Sequence, residues 1–469
     1  MSGPLSHLRV LDLSRVLAGP WASQNLADLG AEVIKIERPR GGDDTRAWGP
    51  PFLQDGDGND TTETAYFLCA NRGKKSLTLD IASERGQAIV RDLAAQSDVL
   101  IENFKTGDLQ RYGLSYDDLK AINPALIYCS ITGFGQDGPF KKQAGYDFMI
   151  QGTGGLMSVT GEPDEVPGGG PKKVGIPIAD LMTGMYATVA IMAALMRRDR
   201  EGGGEYIDMA LLDCEVATLS NQGQNFLISG KIPRRYGNAH PNVVPYQAFP
   251  TTDGHIIIAI GNDFQFGKFC QAAGEPGIAQ DPRFLTNADR VRHRDAIVAE
   301  MARMVGQRST TDWLDQLGPI GVPCGPINDM AQTFAHPQVE HRGMKLEMAH
   351  PSSGTVPLIA NPIRFREHPI AYDLPPPLLG QHSDDVLSGL LGLEAAQIAS
   401  LREAGIVEPC SPNRFNLALY RLKPRPCAPR YAPFCRLRWP TIRGPTAPIR
   451  GWASMPRSRA SWPTAAGSA

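Results

Sequence analysis

The chain has no C-x-x-C pair among its eight cysteines, which stand at 69, 129, 214, 270, 324, 410, 427 and 435. Scattered thiols in apolar settings such as IYCSI read as reduced and buried, which excludes a disulfide-stapled scaffold. No excess of one charge is present either. Lys and Arg total 47 against 49 Asp and Glu, a net −2, so bulk charge gives no argument for a nucleic acid or a membrane surface. The start, MSGPLSHLRVLDLS, has neither a basic n-region nor an apolar h-region, and the longest apolar stretch, Met185–Met196, falls short of the about 20 residues a span requires. The expectation is a cytoplasmic protein with no nucleic-acid or membrane partner. H-E-x-x-H, G-x-S-x-G and the P-loop lysine motif are missing, and the nine His show no ligand spacing, so metal catalysis and serine-hydrolase chemistry lose support.

What is there is 469 residues at 42% hydrophobic composition, enough for two or three domains with sizeable cores. The charge balance hides an asymmetry. Residues 411–469 hold ten Arg, one Lys, ten Pro and no acid, leaving 36 basic against 49 acidic residues before Ser411. No helical or strand period runs through this segment, and it reads as a disordered or non-native tail.

The first 135 residues alternate strand and helix. Strand 8–14 leads to a helix opening on Pro20 with apolar Ala22, Leu26 and Leu29 and closing at Gly30, and strand 31–37 follows. A second cycle places helix 84–96 before strand 98–104, and a third places helix 116–122 before strand 125–132. This pattern predicts an α/β fold with a parallel sheet covered on both faces. A long apolar helix over 178–198, a strand at 205–212 and another helix carry the chain to about 229. Residues 230–330 read as a smaller α+β domain with strands 246–249 and 255–260. Residues 331–410 form a return segment with a last helix near 394–404. The domains expected are therefore 1–229, 230–330, 331–410 and the tail 411–469.

A dinucleotide site fails on its glycines. The first turn, Arg15-Val-Leu-Ala-Gly-Pro20, has one Gly where G-x-G-x-x-G is needed, and Gly133–Gly138 matches the pattern without a helix behind it. What remains is a set of basic and amide residues at strand ends, Arg38, Arg46, Arg72, Lys74, Lys75, Asn103, Lys105 and Arg111, suited either to an anionic ligand or to solvent. Asp180 stands where the long helix begins. It is either an N-cap or a carboxylate nucleophile kept ionised by the helix dipole.

In order along the chain, V-L-A-G-P (Val16–Pro20), G-A-E-V-I-K-I-E-R-P (Gly30–Pro39), G-D-D-T-R (Gly42–Arg46), N-R-G-K-K-S (Asn71–Ser76), E-N-F (Glu102–Phe104), G-Y-D (Gly145–Asp147) and A-D-L-M-T-G (Ala179–Gly184) resemble the family III CoA-transferases of CaiB/BaiF type, over about residues 5–408. The resemblance implies a Rossmann-like large domain, an interlocked homodimer, and no permanently bound cofactor, with CoA or acyl-CoA as substrate. It implies Asp180 as nucleophile and places CoA along Leu17, Ala18, Arg38, Leu79, Asp80, Ile81, Ala82, Asn103, Phe104, Lys105, Arg111, Ala144, Gly145, Tyr146 and Asp147. Arg38 and Arg111 would meet the phosphates, and Tyr66, Tyr146 and Asp147 would line the reaction chamber. Formyl-CoA transferases carry Gln at the position of Leu17 and a glycine run that this chain lacks, which points away from oxalate and formate. The 2-methylacyl-CoA racemases carry His where Tyr146 stands, and a tyrosine of pKa about 10 is a poor base at pH 7. The stretches Arg235–Gln247 and Pro375–His382 look most like the branch that transfers CoA from succinyl-CoA to glutarate or hydroxymethylglutarate. A racemase and a CoA-binding relative without turnover stand as the alternatives.

Overall fold

A computed structural model of the chain describes residues 3–410. The basic tail, 411–469, lies outside the described residues.

Period-two alternation in the strands builds the centre of the molecule. Strands β1 (Arg9–Asp12), β2 (Glu32–Glu37), β3 (Lys74–Thr78), β4 (Val99–Glu102), β5 (Ile127–Thr132) and β6 (Glu205–Ala210) form one six-stranded sheet in the order β3-β2-β1-β4-β5-β6. Every pairing in it is parallel. Val10, Val33, Val99 and Ile101 point to one face, while Leu11, Ile34, Leu77 and Leu100 point to the other. Each face is thus apolar, and helices must cover both. Helices α1 (Ala18–Asp28) and α5 (Ile178–Glu201) cover the first. The second is covered by α2 (Glu84–Ala95), α3 (Tyr116–Ile122) and, from far along the chain, α8 (Ser383–Gly389) and α9 (Ala395–Glu403).

Between them lie α4 (Asp147–Thr153), α6 (Leu211–Thr218) and α7 (Ser220–Ser229). A separate apolar core, with Phe249, Ile256, Phe269 and Trp313, surrounds the antiparallel strands β7 (Tyr246–Pro250), β8 (His255–Ala259) and β9 (Cys324–Pro326). The long helix α5 is long and apolar enough to cross a membrane by length and composition, and half of its most apolar window is buried against the fold.

The parallel α/β expectation holds, with differences that have physical reasons. Helix α1 opens at Ala18, so Pro20 is its third residue. Pro is tolerated there because an N–H of the first turn has no intrahelical partner. The helix expected after residue 212 is two helices, parted at Leu219 just before Ser220, whose φ is +49°. Lys74 and Lys75 open strand β3, at its amino end rather than at the carboxyl edge of the sheet. The return segment forms a hairpin of β10 (Lys345–His350) and β11 (Gly354–Ile359), which its segmental composition had hidden.

Charges inside the fold explain the misread cations. Lys74 is wholly buried, 3.2 Å from Asp12, and also donates to Asn71 and the Pro20 carbonyl. Arg46 grips Glu37 at 2.7 Å and Glu63 at 3.1 Å, and Arg72 pairs with Asp28 at 2.7 Å, all of them buried. These three are committed to structural pairs and are not available to a ligand. Burial opposes the ionisation of Asp12, but Lys74, Lys35 and the hydroxyls of Ser14 and Ser23 hold its pKa down at about 2. Removing one member of a buried pair strands the other. Lys74→Met should therefore cost about 3–5 kcal/mol of stability, read as a lower urea midpoint. An unchanged midpoint would show that Asp12 has other means of compensation.

Candidate functional site

The strand order reverses between β1 and β4, since β2 and β3 lie on one side and β5 and β6 on the other. The loops leaving β1 and β4 part there and leave a crevice at the carboxyl edge of the sheet. Asn103, just past β4, bridges it by accepting from the Arg15 N–H at 2.8 Å and donating to the Arg15 carbonyl at 2.7 Å. A cavity of about 200 Å³ opens at this point. Leu17, Ala18, Asn103, Phe104, Lys105, Ala144, Gly145, Tyr146 and Asp180 all line it.

Two close approaches shape the wall. Gly133 and Gly145 lie backbone to backbone, and a Cβ on Gly133 would come within 2.5 Å of the Gly145 Cα. Gly184, one turn beyond Asp180, packs against α1, where a Cβ would fall 2.6 Å from the Ala18 carbonyl oxygen. This crossing of α1 and α5 seats Asp180 beside the loop that follows β1.

Asp180 is the third residue of α5 and does not cap it; Pro177 occupies the N-cap position and makes no side-chain bond. The capping work is done by Asp147 at the start of α4, which accepts from the Ala179 N–H at 2.9 Å and from Gln151 at 2.8 Å. Asp180 is left without a hydrogen-bond partner among the described residues. Burial, and then the neighbouring Asp147, push its pKa up to about 7. Desolvation and a like charge both act against the dipole stabilisation of this carboxylate expected from the sequence. Tyr66 meets Trp48 edge to face at 5.1 Å, and its phenol is pushed up to about 12 by burial and by Asp180.

Other expected residues lie away from this cavity. Arg38 is half-exposed and bonds Asp44 at 2.7 Å, and Asp44 in turn lines the cavity. Arg111 is exposed, 3.7 Å from Asp108 and stacked over Tyr112. The Leu79 side chain sits in the core, and Asp80 accepts from the Ala82 and Ser83 N–H groups in the turn before α2. Residues 79–82, Ile81 included, follow β3 on the same sheet edge, two strands from β1. Residues not singled out also line the cavity, among them Arg15, Val16, Asp44, Lys141 and Gln143. Asp44 was legible as part of G-D-D-T-R; Lys141 and Gln143 had no signal beyond lying before G-Y-D. Among the described residues no group of three or more His, Cys, Asp or Glu could hold a metal ion.

An open parallel sheet with an acid in the crevice at its switch point defines a doubly wound α/β enzyme class. Within it, the model of CoA-transferase family III matches residues 5–383, and the chain belongs to that family, whose members act on CoA thioesters. The chain is 48% identical over 391 residues to the succinate–glutarate CoA-transferase of Agrobacterium fabrum, covering 83% of this chain and 96% of that protein. It is 43% identical over 405 residues to the succinyl-CoA:glutarate CoA-transferase of Homo sapiens, covering 86% and 90%. The crystal structure of a CaiB/BaiF family protein from Brucella suis is 50% identical, with a TM-score of 0.73 over 83% of this chain and all of that one.

The raised Asp180 pKa carries a stability consequence. A carboxyl with a higher pKa folded than unfolded favours the native state at low pH and penalises it progressively as pH rises from about 4 to 7. Asp180→Asn removes that penalty. Its melting temperature should exceed that of the parent by more at pH 8 than at pH 5, in paired thermal melts; an equal difference at both would refute the shift.

Proposed function

We propose that the protein transfers CoA from succinyl-CoA to glutarate or a similar small dicarboxylic acid, with Asp180 as the nucleophile. The observation that carries the reading is a carboxyl with no hydrogen bond and no paired cation among the described residues, seated in the cavity at the sheet's switch point. The substrate is taken from the relatives at 43–48% identity that bear succinate–glutarate names.

In the proposed cycle an Asp180 oxygen attacks the donor thioester carbon, the C–S bond breaks, and CoA thiolate leaves a mixed anhydride behind. The thiolate attacks the Asp180 carbonyl carbon, releasing succinate and forming an aspartyl-CoA thioester. Glutarate then attacks that carbon, thiolate leaves again, and it collects the glutaryl group while Asp180 is regenerated. No ATP or metal enters, since thioester energy is kept throughout. Deprotonated Asp180 is the attacking form, so the rate should rise with pH to a plateau governed by a group titrating near 7. Lys105 and Lys141, at the cavity, suit the phosphate end of CoA, and Phe104 packs beside it. Arg38 and Arg111 would reach the ligand only by leaving Asp44 and Asp108.

The same reading treats 1–229 with 331–410 as one CoA-binding unit and 230–330 as a second. It is supported by the joint core of Leu77, Val386 and Leu401 and by the separate core around Trp313. It also takes the protein as a homodimer. On α5 and around α7 the chain exposes Val189, Met196, Leu227, Ile228 and Ile232, a run of apolar side chains that a second copy would cover. Leu227→Asp with Ile228→Asp should convert the dimer to monomer in light scattering; a parent that elutes as monomer would sink this part.

Incubated with succinyl-CoA and glutarate, the protein should yield glutaryl-CoA by mass spectrometry. Asp180→Asn should lower turnover by more than about 10³-fold while still binding CoA, and hydroxylamine quenching mid-turnover should label residue 180. Full activity in the Asn variant would remove Asp180 from the mechanism. Inversion of a pure 2-methylacyl-CoA epimer, with no acid present, would favour the racemase reading instead.

A further inference from the structure

Val16 is a β-branched residue at φ +70°, in the left-handed region that such side chains avoid. It lies in the loop after β1, lines the cavity, and immediately precedes Leu17 and Ala18 at the open end of α1. The Leu17 and Ala18 N–H groups have no acceptor among the described residues, and no side chain caps this helix. A conformation of this kind persists only where its surroundings hold it.

The holder is Asp43. Its carboxylate accepts from the Val16 N–H through both oxygens, at 3.2 and 3.3 Å. It also accepts from the Thr45 N–H at 3.0 Å and from the Thr45 hydroxyl at 2.8 Å. Lys35, wholly buried, pairs with it at 3.0 Å and donates to the Ser14 carbonyl at 2.8 Å. The Asp43 N–H donates to Glu37, itself gripped by Arg46. Thr45, Lys35 and Glu37 therefore fix Asp43 in place, and the same carboxylate holds the strained residue at the cavity.

We propose that Asp43 is a positioning residue for CoA transfer, locking Val16 in its left-handed conformation so that the Leu17 and Ala18 N–H groups bind the acyl carbonyl oxygen beside Asp180. The inference rests on the function proposed above. When the Asp180 oxygen adds to the thioester carbon, the carbonyl π pair moves onto oxygen and the two N–H groups receive that charge. When the C–S bond breaks, the pair returns and thiolate departs. Donors placed in advance stabilise the charged state more than the neutral thioester, so their loss falls on kcat rather than on binding.

The test compares Asp43→Asn with the parent and with Asp180→Asn, in succinyl-CoA to glutarate transfer by the full chain. Each preparation is normalised to its folded fraction by circular dichroism and to its CoA-binding titre. Asp43→Asn should lower kcat by about 10–100-fold, with the KM for succinyl-CoA within about threefold of the parent. A kcat per folded site equal to the parent's would overturn the proposal and give Asp43 a purely structural role. A rise in KM with kcat unchanged would overturn it as well. If Asp43→Asn does not fold, Val16→Pro supplies the same reading, because proline holds φ near −65° and has no N–H to donate. It should lose kcat to a similar extent, and parental kcat in that variant would be equally fatal. If the parent itself transfers no CoA, the function reading has failed; if the parent transfers and only Asp180→Asn is dead, the positioning role has failed alone.

Discussion

Buried charge within and just beyond the first three strands is the constraint on which the site depends. Asp12 on β1, Lys35 on β2 and Lys74 on β3 lie within the sheet, and Asp43 folds back over it from the loop beyond β2. Such groups are costly to desolvate singly, and each is tolerated because its neighbours complete its hydrogen bonds. The network consequently fixes backbone as well as side chains. Lys35 holds the Ser14 carbonyl, Asp43 holds the Val16 N–H, and the loop that meets the cavity has little freedom left.

A second constraint comes from small residues. Gly184 lets α5 approach α1 at the level of Ala18, and Gly133 and Gly145 let two loops touch across the far wall. Together they bring one acid from the start of a long helix to the edge of a sheet whose first five strands all precede it in the chain. Asp147 completes the arrangement by taking over the capping of α5, which leaves the Asp180 carboxyl unpartnered and its pKa raised. A carboxyl tied up in its own helix end would be a poorer nucleophile.

The alternation of strand and helix over the first 135 residues was readable because apolar periods of two and near four repeat there, and helix 116–122 was placed to the residue. Strand β3 was not readable, since K-K-S-L-T begins with two charges that look solvated until Asp12 and Glu32 are set beside them. The same blindness made ligand candidates of Arg46 and Arg72. The motif residues Asp180 and Asn103 stood out as chemistry, whereas Asp43 looked like one more acid in G-D-D-T-R.

The order of residues by itself determined the parallel α/β class, the family and the acid that stands at the head of the long apolar helix, because these depend on local period and on short motifs. Only the tertiary structure decided which charges are spent on one another, where the strand order reverses to open a cavity, and that Asp147 rather than Asp180 caps α5. Pairing between residues tens to hundreds of positions apart depends on distance and desolvation, and neither quantity exists until the chain has closed around them.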